Sequence, residues 1–191
     1  MRVDVTLLPP EAPPTGRTCL VVDVLRATSV MAVLFGRGVD AVWPAASIEE
    51  GRALRDALRV GPQAAAGETG LLLCGEHNAI PPEGYDYGNS PLEFERVALA
   101  PRVVMATTNG TPALHACAAA ALTMPAAPLN ASAVVRAAVR AGHDVLVVCA
   151  GLRGAAAEDD TVAAGLLVER LVRAGAQPGE DALDALGRYE A

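Results

Sequence analysis

Short runs of β-branched and other apolar residues alternate along the chain with longer Ala- and Leu-rich stretches whose polar positions recur with helical spacing. The runs Val3–Leu8, Thr18–Val22, Asp40–Trp43, Leu71–Cys74, Arg102–Ala106, Leu122–Met124 and Asp144–Cys149 predict strands, and most stretches between them predict helices. LVVDV, RVVMA and DVLVVC are apolar without alternation, which suits strands covered on both faces of a parallel sheet. The pattern is a repeated βαβ. The expected class is α/β: three layers, a mostly parallel sheet with helices on both faces.

Helix punctuation is clear. Ser47-Ile48-Glu49-Glu50 is a capping box for a helix running to about Arg59, and Ser90-Pro91 sets a proline at a first helical position. Thr28 or Ser29 is the expected cap of a helix reaching Phe35, and Asn130 that of Ala131–Arg140. Glu158–Asp160 places negative charge at the start of a helix ending near Arg173, while Gly142 and Gly175 fit helix C-termini. The one long irregular segment, Gly75–Ser90, is polar and rich in Gly and Pro, and the region 76–100 is a candidate divide between two lobes.

Composition narrows the function. With 191 residues, 52% of them apolar and 19% charged, the chain is sized for one domain and is not an intrinsically disordered sequence. A formal net charge of −7 with 3% aromatic residues argues against nucleic acid, against base stacking and against an anionic membrane surface. All 15 basic residues are arginine, which removes Schiff-base chemistry and the phosphate-loop lysine. The four cysteines are far apart, without a C-x-x-C pair, and the N-terminus lacks the apolar region of a signal peptide, so a reduced, cytoplasmic protein is expected.

Polar clusters follow the carboxyl ends of four expected strands: Asp23 through Thr28, Gly75-Glu76, Thr107–Thr111, and Cys149 through Asp160. That edge of an open parallel sheet is where ligands bind. Thr107–Thr111 has the composition of a phosphate cradle or of an ordinary Asn-Gly turn. Asp23 and Arg26 suit a cation and a phosphoryl oxygen, or simply a structural ion pair. The oxygen donors and the scattered histidines favour hard Mg²⁺ over a soft metal. No dinucleotide fingerprint, nucleophile elbow or thiol-phosphatase loop is present, and Asp23-Val24-Leu25 lacks the second aspartate of aspartyl-phosphate enzymes. A covalent phosphoenzyme is not supported.

Taken together, Val22–Ser29, Ala45–Glu50, Gly75-Glu76, Tyr85–Phe94, Thr107–Thr111, Leu129–Ala133 and Val148–Gly151 resemble the 2-phosphosulfolactate phosphatase family, the coenzyme M biosynthesis protein B type, in order and spacing from about Val21 to Leu171. The resemblance implies a fold peculiar to the family and a Mg²⁺-dependent enzyme that hydrolyses 2-phospho-3-sulfolactate, a small anionic phosphorylated substrate, to sulfolactate and phosphate. By motif it makes Asp23, Glu76 and Asp159 candidates for the metal site or the water-activating base, with Glu158 and Asp160 as neighbours. Arg26, Thr108, Asn109, Gly110 and Thr111 become candidates for holding the phosphoryl group, and Asn89, Ser90 and Asn130 for lining the site. Arg153 is a candidate partner for the substrate's other acid groups. Family members continue past the position of Ala191 with more sheet and loop, and Ala155–Ala157 replaces a bulkier, more polar lead into the acidic cluster. A homodimer is the default assembly. The competing class is a non-catalytic binder of phosphorylated metabolites, which would need Arg26 and the cradle but not the carboxylates.

Overall fold

Each expected apolar run forms a strand. The structure, a computed structural model, describes residues 1–60 and 70–191. Its strands are β1 (Arg2–Thr6), β2 (Thr18–Val22), β3 (Ala41–Ala45), β4 (Leu71–Gly75), β5 (Arg102–Ala106), β6 (Leu122–Ala126), β7 (Val145–Cys149) and the two-residue β8 (Gln177–Pro178). The helices are α1 (Ala27–Gly36), α2 (Ile48–Val60), α3 (Pro91–Arg96), α4 (Gly110–Ala116), α5 (Ala131–Ala141), α6 (Glu158–Arg173) and α7 (Glu180–Glu190), with a 3₁₀ turn at Pro128–Asn130.

The α/β class holds, in two parallel sheets rather than one. The larger has the order β6-β2-β7-β1-β8 and the smaller β3-β5-β4. Side-chain alternation explains the layering. Leu20, Val22, Val145 and Val147 point to one face of the larger sheet, against Val134, Leu167 and Leu171 of α5 and α6. Cys19, Val21, Leu146 and Val148 point to the other, into a core shared with Val30 and Leu34 of α1, Phe94 of α3, Leu114 of α4, and Val103 and Met105 of the smaller sheet. Val104 faces the opposite way, toward α2 with Leu54 and Leu58. Each sheet therefore lies between helices, and α1, α3 and α4 form a middle layer common to both. The segment 76–100 does not separate the sheets, because β4 and β5 on either side of it pair with each other. The chain changes sheet between β2 and β3 and again between β5 and β6, next to α1 and α4.

Several local expectations are corrected. Thr28 and Ser29 lie inside α1, and their hydroxyls donate back to the Asp23 and Val24 carbonyls (2.8 Å each), while Arg26 takes the cap position. Asn130 precedes α5 without capping it; its Oδ1 accepts the Ala127 N–H (2.8 Å) and its Nδ2 donates to the Pro125 carbonyl (3.0 Å). The capping box of α2 forms, with the Glu50 N–H donating to Ser47 Oγ (3.1 Å) and Glu50 Oε2 accepting from the Ala46 N–H (2.7 Å). All four cysteines are buried and free. Among the described residues no helix is long and apolar enough to cross a membrane.

Candidate active site

The registers align the strand ends that matter. Val22 stands beside Cys149 in the larger sheet, and Gly75 beside Ala106 in the smaller, so the loops after β2, β7, β4 and β5 meet. Between them is a cavity of about 470 Å³ whose lining includes Asp23, Arg26, Glu76, Asn89, Thr108 and Arg153. A hollow of about 700 Å³ adjoins it, sharing Glu76, Asn78 and Thr108 as a wall.

Asp23 is held where β2 turns into α1. The Thr28 hydroxyl accepts the Asp23 N–H (3.1 Å), and Asp23 Oδ1 accepts the Ala27 N–H (3.2 Å). Oδ2 accepts no hydrogen bond from the described residues. Gly110 lies against it: a Cβ there would stand 2.4 Å from Asp23 Oδ2 and 2.5 Å from the Ala27 Cβ, so only glycine lets α4 approach this closely. Asp23 is 7% exposed. Burial raises its pKa to about 7, with the charge of Asp160 adding most among its neighbours, then Glu76 and Asp159, against the lowering effect of the Ala27 N–H.

Two more buried carboxylates act as staples. Asp160, in the first turn of α6, accepts the Val24 N–H (2.9 Å) with Oδ1 and the Gly151 N–H (3.0 Å) with Oδ2, tying together the ends of β2 and β7. Burial raises its pKa to about 6 despite those N–H groups. Glu76 does the same for the smaller sheet: Oε1 accepts the Thr108 N–H (2.7 Å) and Oε2 the Ala79 N–H (2.6 Å). Gly75 makes that approach possible, since a Cβ at its φ of 151° would lie 1.9 Å from the Ala106 carbonyl oxygen.

A sequence profile described as 2-phosphosulpholactate phosphatase matches residues 5–189. The chain belongs to this family. Among its relatives, each named "Probable 2-phosphosulfolactate phosphatase", that of Thermotoga petrophila is 38% identical over 172 residues, covering 90% of this chain and 69% of the relative. The Thermus thermophilus relative is 38% identical over 184 residues (95% and 73%), and the Deinococcus radiodurans relative 38% over 178 residues (92% and 69%).

For this 2-phosphosulfolactate phosphatase family member, the structure gathers Asp23, Arg26, Glu76, Asn89, Thr108 and Asn109 around one cavity. It does not bring every expected residue there. Thr111 is fully buried, and its hydroxyl accepts the Thr107 N–H (2.9 Å) while Thr107 Oγ1 accepts the Thr111 N–H (3.0 Å), so the cradle presents only Thr108 and Asn109 to the cavity. Ser90 heads α3 outside the lining, and Asn130 is spent on its own turn. Asp159 is half-buried and lines a separate, largely apolar hollow of about 510 Å³ with Val24, Leu166 and Tyr189; Glu158 pairs with Arg188 (2.9 Å). It is Asp160, not Asp159, that turns inward.

The motifs did not single out Asn78, Ala79, Leu25 and Leu152 as lining residues. Asn78 carried a signal, because asparagine two residues after a strand-end carboxylate marks a tight turn.

The donor set fits a hard cation. Asp23 Oδ2 accepts no hydrogen bond from the described residues, and the buried amide oxygen of Asn89, which lines the same cavity, has no hydrogen-bond partner. Among the described residues no three His, Cys, Asp or Glu side chains converge as a cage. Two such oxygens could take part in holding a hard cation whose shell is otherwise completed by water and phosphate.

Proposed function

We propose that this chain is a Mg²⁺-dependent phosphatase of small anionic 2-phospho acids, 2-phospho-3-sulfolactate foremost, yielding the hydroxy acid and inorganic phosphate. The observation that carries the reading is the charge pattern of the cavity. Arg26 and Arg153 line it with no carboxylate partner among the described residues, together with the buried Asp23 and Glu76. Cations left unneutralised beside acceptor oxygens suit a ligand that brings its own negative charge and a metal.

Asp23 Oδ2 and Asn89 Oδ1, with Glu76 beside them, would hold Mg²⁺, which when bound supplies charge neutralisation at the phosphoryl oxygens. Arg26 grips the phosphoryl group through its planar fork and keeps it in one orientation for in-line attack by water. Thr108 offers its hydroxyl from the opposite wall. Glu76, locked by two backbone donors, keeps its edge of the cavity negative and bars the phosphoryl group from binding in the reverse sense. Asp160 stays behind the wall and fixes the loops.

The test is inorganic phosphate release from 2-phospho-3-sulfolactate with Mg²⁺ and with EDTA. Release that requires Mg²⁺ is expected. A folded protein that binds phosphate and releases none from any 2-phospho acid would replace this reading with that of a metabolite binder.

A further inference from the structure

The two loops that face each other across the cavity are built alike, one from each sheet. After β4, His77 and Ile80 exchange both main-chain hydrogen bonds (2.9 and 3.1 Å); after β7, Leu152 and Ala155 do the same (2.8 and 3.1 Å). The residues between them all have positive φ: Asn78 at 52° and Ala79 at 66°, Arg153 at 51° and Gly154 at 79°. These are two-residue hairpin turns of the kind that favour Asn-Gly. Asn78 suits its place. Arg153 occupies the equivalent position in the other turn, where glycine or asparagine would sit without strain.

What Arg153 gains for that strain is its position. Its N–H donates to Asn109 Oδ1 (3.3 Å), and its guanidinium reaches Asn78 Oδ1 at the tip of the opposite turn at 3.4 Å. Both partners are neutral amides, and the second contact is long, so the charge is aimed into the cavity without being spent. Of the described residues lining this cavity only Arg26 and Arg153 are basic. The arginine of the adjoining hollow is otherwise engaged: Arg52 donates to the Glu83 carbonyl (2.9 Å) and lies 5.9 Å from the Tyr85 ring centre.

We propose that Arg153 is a specificity-determining residue that grips a second anionic group of the substrate, a carboxylate or sulfonate close to the phosphoryl-bearing carbon, while Arg26 serves the phosphoryl group. The assignment rests on the phosphatase reading above. A lone phosphomonoester needs one such fork. A second, presented from a turn whose own preference is for another residue, selects substrates that carry a further oxyanion, which guanidinium binds bidentately.

The test uses Arg153→Asn, which suits the turn and so is expected to melt no lower than the wild type. Both proteins are assayed on 2-phospho-3-sulfolactate, on 2-phospholactate (carboxylate only), on the phosphate ester of 2-hydroxyethanesulfonate (sulfonate only) and on ethyl phosphate (neither). The preference for 2-phospho-3-sulfolactate over ethyl phosphate, as a ratio of kcat/KM, is expected to fall about 10- to 100-fold, mostly through KM, with partial recovery in Arg153→Lys. The single-acid substrate whose preference falls alongside names the group that Arg153 holds. An unchanged ratio overturns the assignment. If the wild type hydrolyses none of the four, the phosphatase reading has failed, and Arg153 is then judged by calorimetric binding of sulfolactate: equal affinity in wild type and Arg153→Asn overturns it.

Discussion

The two sides of the cavity are fixed by the same device and furnished differently. On each side a buried carboxylate collects backbone N–H groups from neighbouring loops, Asp160 for β2 and β7 and Glu76 for β4 and β5. The larger sheet then contributes Asp23 and both cations, whereas the smaller contributes Glu76, Asn78, Asn89, Thr108 and Asn109, neutral apart from the staple itself. A carboxylate whose oxygens are all taken is a fastener, and one with an oxygen left over is a reagent. Asp160 is the first kind, Asp23 the second, and Glu76 sits between them because it also lines the cavity.

Substitutions can break that distinction. Asp23→Asn keeps the shape and removes the reagent; phosphate release is expected to fall about 100- to 1,000-fold, while the thermal midpoint at pH 8 without metal rises because a buried charge is gone. Gly110→Ala drives a methyl group into Asp23 and Ala27, and should cost about 1–3 kcal/mol of stability by denaturant titration together with most of the turnover. Glu76→Gln leaves one of two backbone donors facing an amide NH₂, and is expected to cost about 1–3 kcal/mol and to lower turnover less than Asp23→Asn does.

Titration separates the roles further. A carboxyl group whose folded pKa is raised binds its proton more tightly in the folded chain than in the unfolded one, so stability present below about pH 4 is lost as pH rises through the folded value. With Asp160 at about 6 and Asp23 at about 7, the metal-free protein should melt progressively lower from about pH 4 to about pH 7 and level off above that. Asp23→Asn should flatten the upper part of that slope. Mg²⁺, which must displace the Asp23 proton, should bind more tightly as pH rises across the same range, and calorimetry in buffers of different ionisation enthalpy would count the proton released. The smallest effect belongs to Asn130→Ala: about 1 kcal/mol of stability and no change in turnover, since its amide serves only the turn before α5.

The strands were legible because parallel, doubly covered strands are written as unbroken apolar runs. β8 was not, being two residues long and ending in proline, and α7 was missed although Gly179 and the acidic pair Glu180-Asp181 announce its start. The site was legible at the level of loops, since four polar clusters followed four strand ends. Which residue of a cluster faces inward depends on helical phase. Asp160 is in step with Ala163, Ala164, Leu167 and Leu171, the buried stripe of α6, and Asp159 is not. That phase was readable from the sequence, and the motif match did not use it. The split into two sheets had no such signal, because it depends on α1, α3 and α4 filling the space between strands that could otherwise have paired.

Every named strand pairing is parallel, and that has a consequence for altering the protein. The candidate site lies at the carboxyl ends, so the described connections at the amino ends are remote from it. Gly38, Gly142 and Gly175 each turn the chain at such a connection with positive φ (86°, 73° and 96°), which disfavours a side chain on the glycine itself, but the space around each is open, with no atom within 4 Å of where a Cβ would lie. A fluorophore, affinity handle or grafted peptide placed at these corners would be an attachment on the far side of the molecule from the cavity, whereas the same cargo in the turns at 78–79 or 153–154 would stand in the doorway.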